Sequence, residues 1–149
     1  DFTSRGIPVG LSIDTTALGG NTDMFSIMKL LQNVENALQK NEFALPARRV
    51  LEMATIEGAR SMGMDNVIGS LTPGKRADLI MVRTGDLNMQ PVTDIAHLVV
   101  EAAQPVNVDM VAIDGKVVKW NGRLTTLDVD KIIRDAAQSS ERIRREANI

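Results

Sequence analysis

The alternation of apolar and polar positions divides this chain into a helical first part and a β-rich second part. Ile7 to Ile13 (IPVGLSI) is a short apolar run of the kind that forms a strand buried on both faces. It ends at Asp14, and Thr15 to Thr22 (TTALGGNT) carry the small and polar residues of a loop. A helix is predicted from Asp23, with Thr22 or Asp23 as its N-cap. Its apolar positions Met24, Ile27, Met28, Leu31, Val34 and Leu38 recur at helical spacing and predict one buried stripe. Asn41 and Glu42 break that pattern. Pro46 suits the first turn of a second helix whose apolar side is Val50, Leu51 and Met53. Thr55 interrupts or re-caps it. Ile56, Ala59 and Met62 continue on a further short helix, which Gly63 is placed to end.

After Gly69 the periodicity changes. Pro73-Gly74 reads as a turn, and Asp78 to Val82 (DLIMV) as a strand whose apolar run predicts burial. Val99-Val100 reads as a short strand. Val108 to Leu124 reads as a meander, with strands at Met110–Ile113 and Val117–Trp120 joined at Asp114-Gly115 and followed by Asn121-Gly122. Asp-Gly and Asn-Gly are the strongest short-range hairpin signals. From Asp128 a final helix carries Val129, Ile132, Ile133, Ala136, Ala137, Ser140 and Ile143 on one face. Arg142, Arg144 and Arg145 near its end suit the helix dipole and read as a solvated face.

Composition narrows the function classes. The 149 residues suffice for one ordinary domain with a real core, and 44% apolar with 24% charged residues is typical of a globular protein. A net charge of −2 offers nucleic acid no electrostatic footprint. No apolar run approaches the roughly 20 residues of a membrane span. The start Asp1–Arg5 is not followed by the apolar region of a signal peptide. With no cysteine there is no disulfide framework, and a cytoplasmic setting is expected. The chain begins with Asp1 instead of methionine, as a trimmed or truncated chain does and as a chain with a cleaved tag does equally. Three Phe, one Trp, no Tyr and eight Met point to a core filled with Met and Leu.

The residues from Met53 to Val82 (MATIEGARSMGMDNVIGSLTPGKRADLIMV) are the most informative. Ala54-Thr55 with Gly58-Ala59-Arg60, and Gly74-Lys75-Arg76-Ala77-Asp78-Leu79, together resemble the C-terminal signature of the amidohydrolase superfamily, in the branch of atrazine chlorohydrolase and cytosine deaminase-like enzymes. The likeness extends to Gly6–Asp14, to Asn21, Asp23 and Met28-Lys29, and to Val111–Val117 (VAIDGKV), and so covers nearly the whole chain. It implies a (β/α)₈ barrel with a composite β-sandwich. Residues 1–65 would be the last barrel strand and its helices. Residues 66–149 would be the C-terminal part of the sandwich with a closing helix, making the chain an α/β fragment, about the last third of a hydrolase.

Asp14 is the candidate catalytic and metal-contacting residue. By pattern it is a turn aspartate beyond a buried strand, the position where (β/α)₈ barrels place their chemistry. The resemblance gives it a role, since the family's eighth barrel strand ends in an aspartate that contacts zinc or iron and takes the proton of the attacking water. A metal lowers the pKa of bound water toward neutrality, and a carboxylate beside it serves as general base and then general acid. The family attacks a heteroaromatic ring or an amide of a small-molecule substrate and releases ammonia, an amine or, in a few members, chloride.

The family's His-x-His pair and later histidines have no counterpart here, and one carboxylate does not make a three-ligand zinc site. The isolated chain is therefore expected to bind no metal and to be inactive. His97, the only histidine, falls in DIAHLVVE and reads as a packed or hydrogen-bonding group in the small sheet domain. Gly69 to Arg76 mimics a phosphate loop, but Arg76 stands where Ser or Thr would hold Mg²⁺, and the loop precedes a strand. One barrel strand leaves open edges, so the chain is expected to form homo-oligomers or to join the missing N-terminal portion. The competing readings are a non-catalytic assembly or structural module derived from such an enzyme, and a dihydroorotase-like hydrolase, which would share Asp14 but not the match over Ala54–Val82.

Overall fold

The computed structural model describes residues 5–14, 20 and 22–148. The predicted loop over 15–22 thus lies largely outside the described residues. The described chain runs α1 (Met24–Gln39), α2 (Ala47–Met53), α3 (Ile56–Ser61), β1 (Leu79–Val82), α4 (Ile95–Glu101), β2 (Val108–Ile113), β3 (Lys116–Trp120), β4 (Arg123–Leu124) and α5 (Val129–Ala147).

Asp23 caps α1, accepting the N–H groups of Phe25 at 2.9 Å and Ser26 at 3.3 Å, as the sequence predicts. Lys40 closes the helix in the left-handed region. The predicted stripe is buried at Met28, whereas Val34 is 47% and Leu38 73% exposed. The reason is coverage: α2 and α4 pack against α1, and Met28 joins Ala47, Val50 and Val100 in one core cluster that the far end of the stripe does not reach. Pro46 precedes α2, and Thr55 separates α2 from α3, its hydroxyl donating to the Leu51 carbonyl at 2.7 Å.

Two expectations are corrected. Residues 7–13 take no strand pairing. A strand needs neighbours to hydrogen-bond, and among the described residues the strand pairings are those of β1 to β4 alone. Val99-Val100 is not a strand either, because it lies within α4, and His97 therefore sits on a helix packed against α1 and α2 instead of in the sheet. The α4 helix is buried on two sides. Val100 enters the cluster with Met28, while Leu98 enters a second one with Met89 and Ala103. Burial on two sides produces the continuous apolar run that mimics a strand.

The sheet is an antiparallel meander in the order β1-β2-β3-β4. Its turns are the predicted ones: Asp114 and Gly115 have φ of 50° and 77°, Asn121 and Gly122 48° and 73°, the positive pairs that hairpin turns of type I′ require. Leu79 pairs with Ala112 and Met81 with Met110 on one face, Ile80 with Val111 on the other, so both faces are apolar. The burial predicted for β1 is only partial, since Ile80 is 50% and Met81 51% exposed. Helix α5, capped by Asp128, has no buried residue.

Candidate active site

Asp14 ends the apolar run 7–13 in the left-handed region, with φ of 40°. The other described non-glycine residues with positive φ, Lys40, Asp114, Asn121 and Asn148, each close a helix or form a hairpin turn. Aspartate tolerates that conformation because its short polar side chain can bond locally, and such backbone states gather at functional positions. The Asp14 N–H donates to the Ser12 hydroxyl at 3.1 Å, and the residue is exposed.

The approach to Asp14 is fastened to the helices. The Leu11 N–H donates to the Met53 carbonyl at 3.2 Å, and the Leu11 side chain packs on the cluster of Met28, Ala47, Val50 and Val100. Glu57, at the start of α3, forms a two-point ion pair with Arg49 of α2. The Arg49 hydrogen bond holds the Glu57 carboxyl below the usual glutamate range against the opposing effect of burial, and a backbone hydrogen bond from Val9 adds to it. The same pair raises the Arg49 guanidinium. Sequence reasoning passed over both residues. They stand eight apart across the break at Thr55, where no helical spacing links them, and the only local signal was an acidic residue in a first turn.

The Gly74–Leu79 motif is a clasp. Arg76 N–H donates to the Val67 carbonyl and Gly115 N–H to the Ala77 carbonyl, at 2.9 and 3.0 Å. The Asp78 carboxylate accepts the Asp114 N–H, tying β1 to the β2–β3 turn. The Lys75 ammonium turns back onto Ser70 at 2.7 Å and the Ile68 carbonyl at 3.2 Å, a use opposite to holding phosphate.

His97 and Asp14 are not brought together. His97 is exposed on α4, and its backbone N–H donates at 2.8 Å to Asp94, the cap of that helix. It borders an open groove of about 1010 Å³ between α1, α2 and α4, whose lining includes Gln32, Phe43 and Arg48 and does not include Asp14. Among the described residues no three His, Cys, Asp or Glu side chains come together as a metal site. The residues present do not fit a metal on their own, and Asp14 offers one donor.

A model of the Amidohydrolase family matches residues 2–118. The chain belongs to the Amidohydrolase family. Among amidohydrolase relatives, a 5-methylthioadenosine/S-adenosylhomocysteine deaminase of Syntrophomonas wolfei is 35% identical over 138 residues, 93% of this chain and 32% of that protein. An adenosine deaminase from Xanthomonas campestris, solved with bound zinc, superimposes with a TM-score of 0.78 at 33% identity, over 81% of this chain and 28% of that one. Atrazine chlorohydrolase from Arthrobacter aurescens TC1, complexed with zinc, shares the fold with a TM-score of 0.70 at 24% identity, over 76% and 25% of the two chains. The chain spans about a third of the length of the curated relatives it matches. No helix among the described residues is long and apolar enough to cross a membrane.

Proposed function

We propose that this chain is the C-terminal portion of a metal-dependent amidohydrolase that removes the amino group from a purine nucleoside by attack of water on the ring carbon bearing it. The observation that carries this is Asp14, a carboxylate at the tip of the segment matched to the family, held in a left-handed conformation and exposed where substrate could reach it. The relatives' names supply the substrate class. In this reading Asp14 accepts a proton from the attacking water and returns it to the departing nitrogen, which leaves as ammonia. Asp14 is one donor to a divalent metal, zinc or iron, and the remaining donors come from outside this chain.

Residues 1–65 then belong to the barrel and 66–149 to the sandwich, with α4 as the piece of the second part that docks on the helices of the first. The doubly apolar sheet and the uncovered α5 support a missing partner surface, supplied by the N-terminal portion or, in the isolated chain, by further copies. The lone chain is inactive.

The test is Asp14→Asn in the whole protein. It should lower kcat about 10²- to 10⁴-fold, as loss of a general base does, with the thermal transition kept. Wild-type turnover by that variant would overturn the reading. The alternative, a non-catalytic module, draws on the absence of a three-residue metal cluster among the described residues; metal-dependent adenosine deamination by the whole protein would remove it.

A further inference from the structure

Two consecutive residues on the way to Asp14 are fixed to the α2–α3 unit. Gly10 lies so close to Gly58 that a Cβ there would stand 2.8 Å from the Gly58 Cα and 3.0 Å from the Ser61 hydroxyl. Leu11 donates its N–H to the Met53 carbonyl. Met53 ends α2 and Gly58 lies on α3, and the Arg49–Glu57 pair ties these two helices together: the Glu57 carboxylate is gripped at both oxygens by Arg49 and approached by Arg60 at 3.8 Å.

We infer that the Arg49–Glu57 pair is a positioning device for Asp14. By holding α2 to α3 it sets the seat of Gly10 and Leu11 on the helices, and hence where the carboxylate three residues further on stands in the reaction. The inference rests on the proposed role of Asp14. An exposed ion pair would contribute little, but the Glu57 side chain is only 12% exposed and meets Arg49 at both oxygens. Releasing it frees the chain that carries the reacting group. Misplacement of such a group by about 1 Å costs on the order of 10²-fold in rate.

The experiment uses the whole protein with Glu57→Ala, Glu57→Gln and Asp14→Asn. The readouts are kcat and KM separately, thermal transition, and metal retained after dialysis against a chelator. Glu57→Ala should lower kcat about 10- to 100-fold with KM little changed and weaken metal retention. Glu57→Gln, which keeps one acceptor oxygen for Arg49 and loses the other, should fall between Glu57→Ala and the wild type in both. An inactive Asp14→Asn beside a Glu57→Ala with wild-type kcat and metal content overturns the positioning role and leaves the reading of Asp14 standing. Equal losses in Glu57→Ala and Glu57→Gln that only track a lowered thermal transition overturn it as well. An active Asp14→Asn removes both ideas. If Glu57→Ala does not fold, Arg49→Lys serves instead, because it keeps the charge and loses the two-point fork. It should show the same drop in kcat and metal retention, and wild-type values for both would overturn the role.

Discussion

Gly69 has no room for a side chain. Its φ is 86°, and a Cβ there would stand 2.7 Å from the Ala59 Cβ and 3.0 Å from the Ile56 Cα. Gly69→Ala should therefore destabilise by about 1–3 kcal/mol through overpacking, with the left-handed backbone adding about 1 kcal/mol, measured by urea unfolding. Asn107 is buried with its amide engaged on every side. It donates to Asp86 at 2.7 Å and to Asn88 at 3.1 Å, and accepts from Asn88 at 3.0 Å and from Gln104 N–H at 2.8 Å. Asn107→Ala leaves those partners unmatched and should cost about 1–3 kcal/mol by the same measurement. Glu57 makes a pH prediction. Its folded pKa lies below the usual 4.5, so its contribution to stability is complete above that value and is lost as pH falls below it. Glu57→Gln should flatten the acid side of the curve of thermal transition against pH; an unchanged slope would count against the pairing. Gly69 and Gly74 were legible as punctuation, while Asp14 was singled out by its place in a family motif and its role is the proposal above. Asn107, Arg49 and Glu57 were not legible, because their partners are distant in sequence or lie on another element.

Elements were legible where the signal is local. Asp114-Gly115 and Asn121-Gly122 identified both hairpin turns, because positive φ is a property of those residues themselves. Asp23 and Asp128 marked helix starts for the same reason. The element misread, α4, is short and apolar on two sides, so its run Leu98-Val99-Val100 carried no helical period. The overlooked signal was Asp94, three residues before His97, in the relation of a cap to the helix it starts. Asp94→Ala should cost about 0.5–2 kcal/mol. Because α4 bridges the cluster around Val50 and the one around Met89, the loss should lower the single unfolding transition of the chain instead of fraying one helix end. A transition unchanged by Asp94→Ala would show that tertiary packing alone holds α4. Residues 7–13 are the opposite case. Their apolar pattern was read as a strand and the structure gives none there, because strand pairing is a relation between segments and among the described residues no strand lies hydrogen-bonded beside them.

The whole molecule exposes too much. Its accessible surface is 10711 Å², whereas a compact monomer of 16.2 kDa exposes about 7,500 Å². The excess, about 3,200 Å² on this chain alone, corresponds to about 6,400 Å² counted over two partners, the scale of the largest obligate interfaces. It includes Ile80, Ile113 and Trp120 on the sheet and Ile132, Ile133 and Ile143 on α5. A sheet apolar on both faces is built for cover on both, and an amphipathic helix with no buried residue is built for a partner. On the proposed reading the partner is the rest of the same enzyme. The isolated chain should then be oligomeric in light scattering, free of stoichiometric metal and without deaminase activity. Co-expression with a separate N-terminal segment carrying the barrel's other strands should convert it to a one-to-one complex that holds metal and turns over an adenosine-type substrate. In that complex Asp14→Asn should lower turnover by about 10²- to 10⁴-fold while leaving the association intact, because assembly draws on apolar area and the reaction on one carboxylate. A monodisperse monomer in the absence of the partner, or a complex whose activity survives Asp14→Asn, would each break a different half of this account.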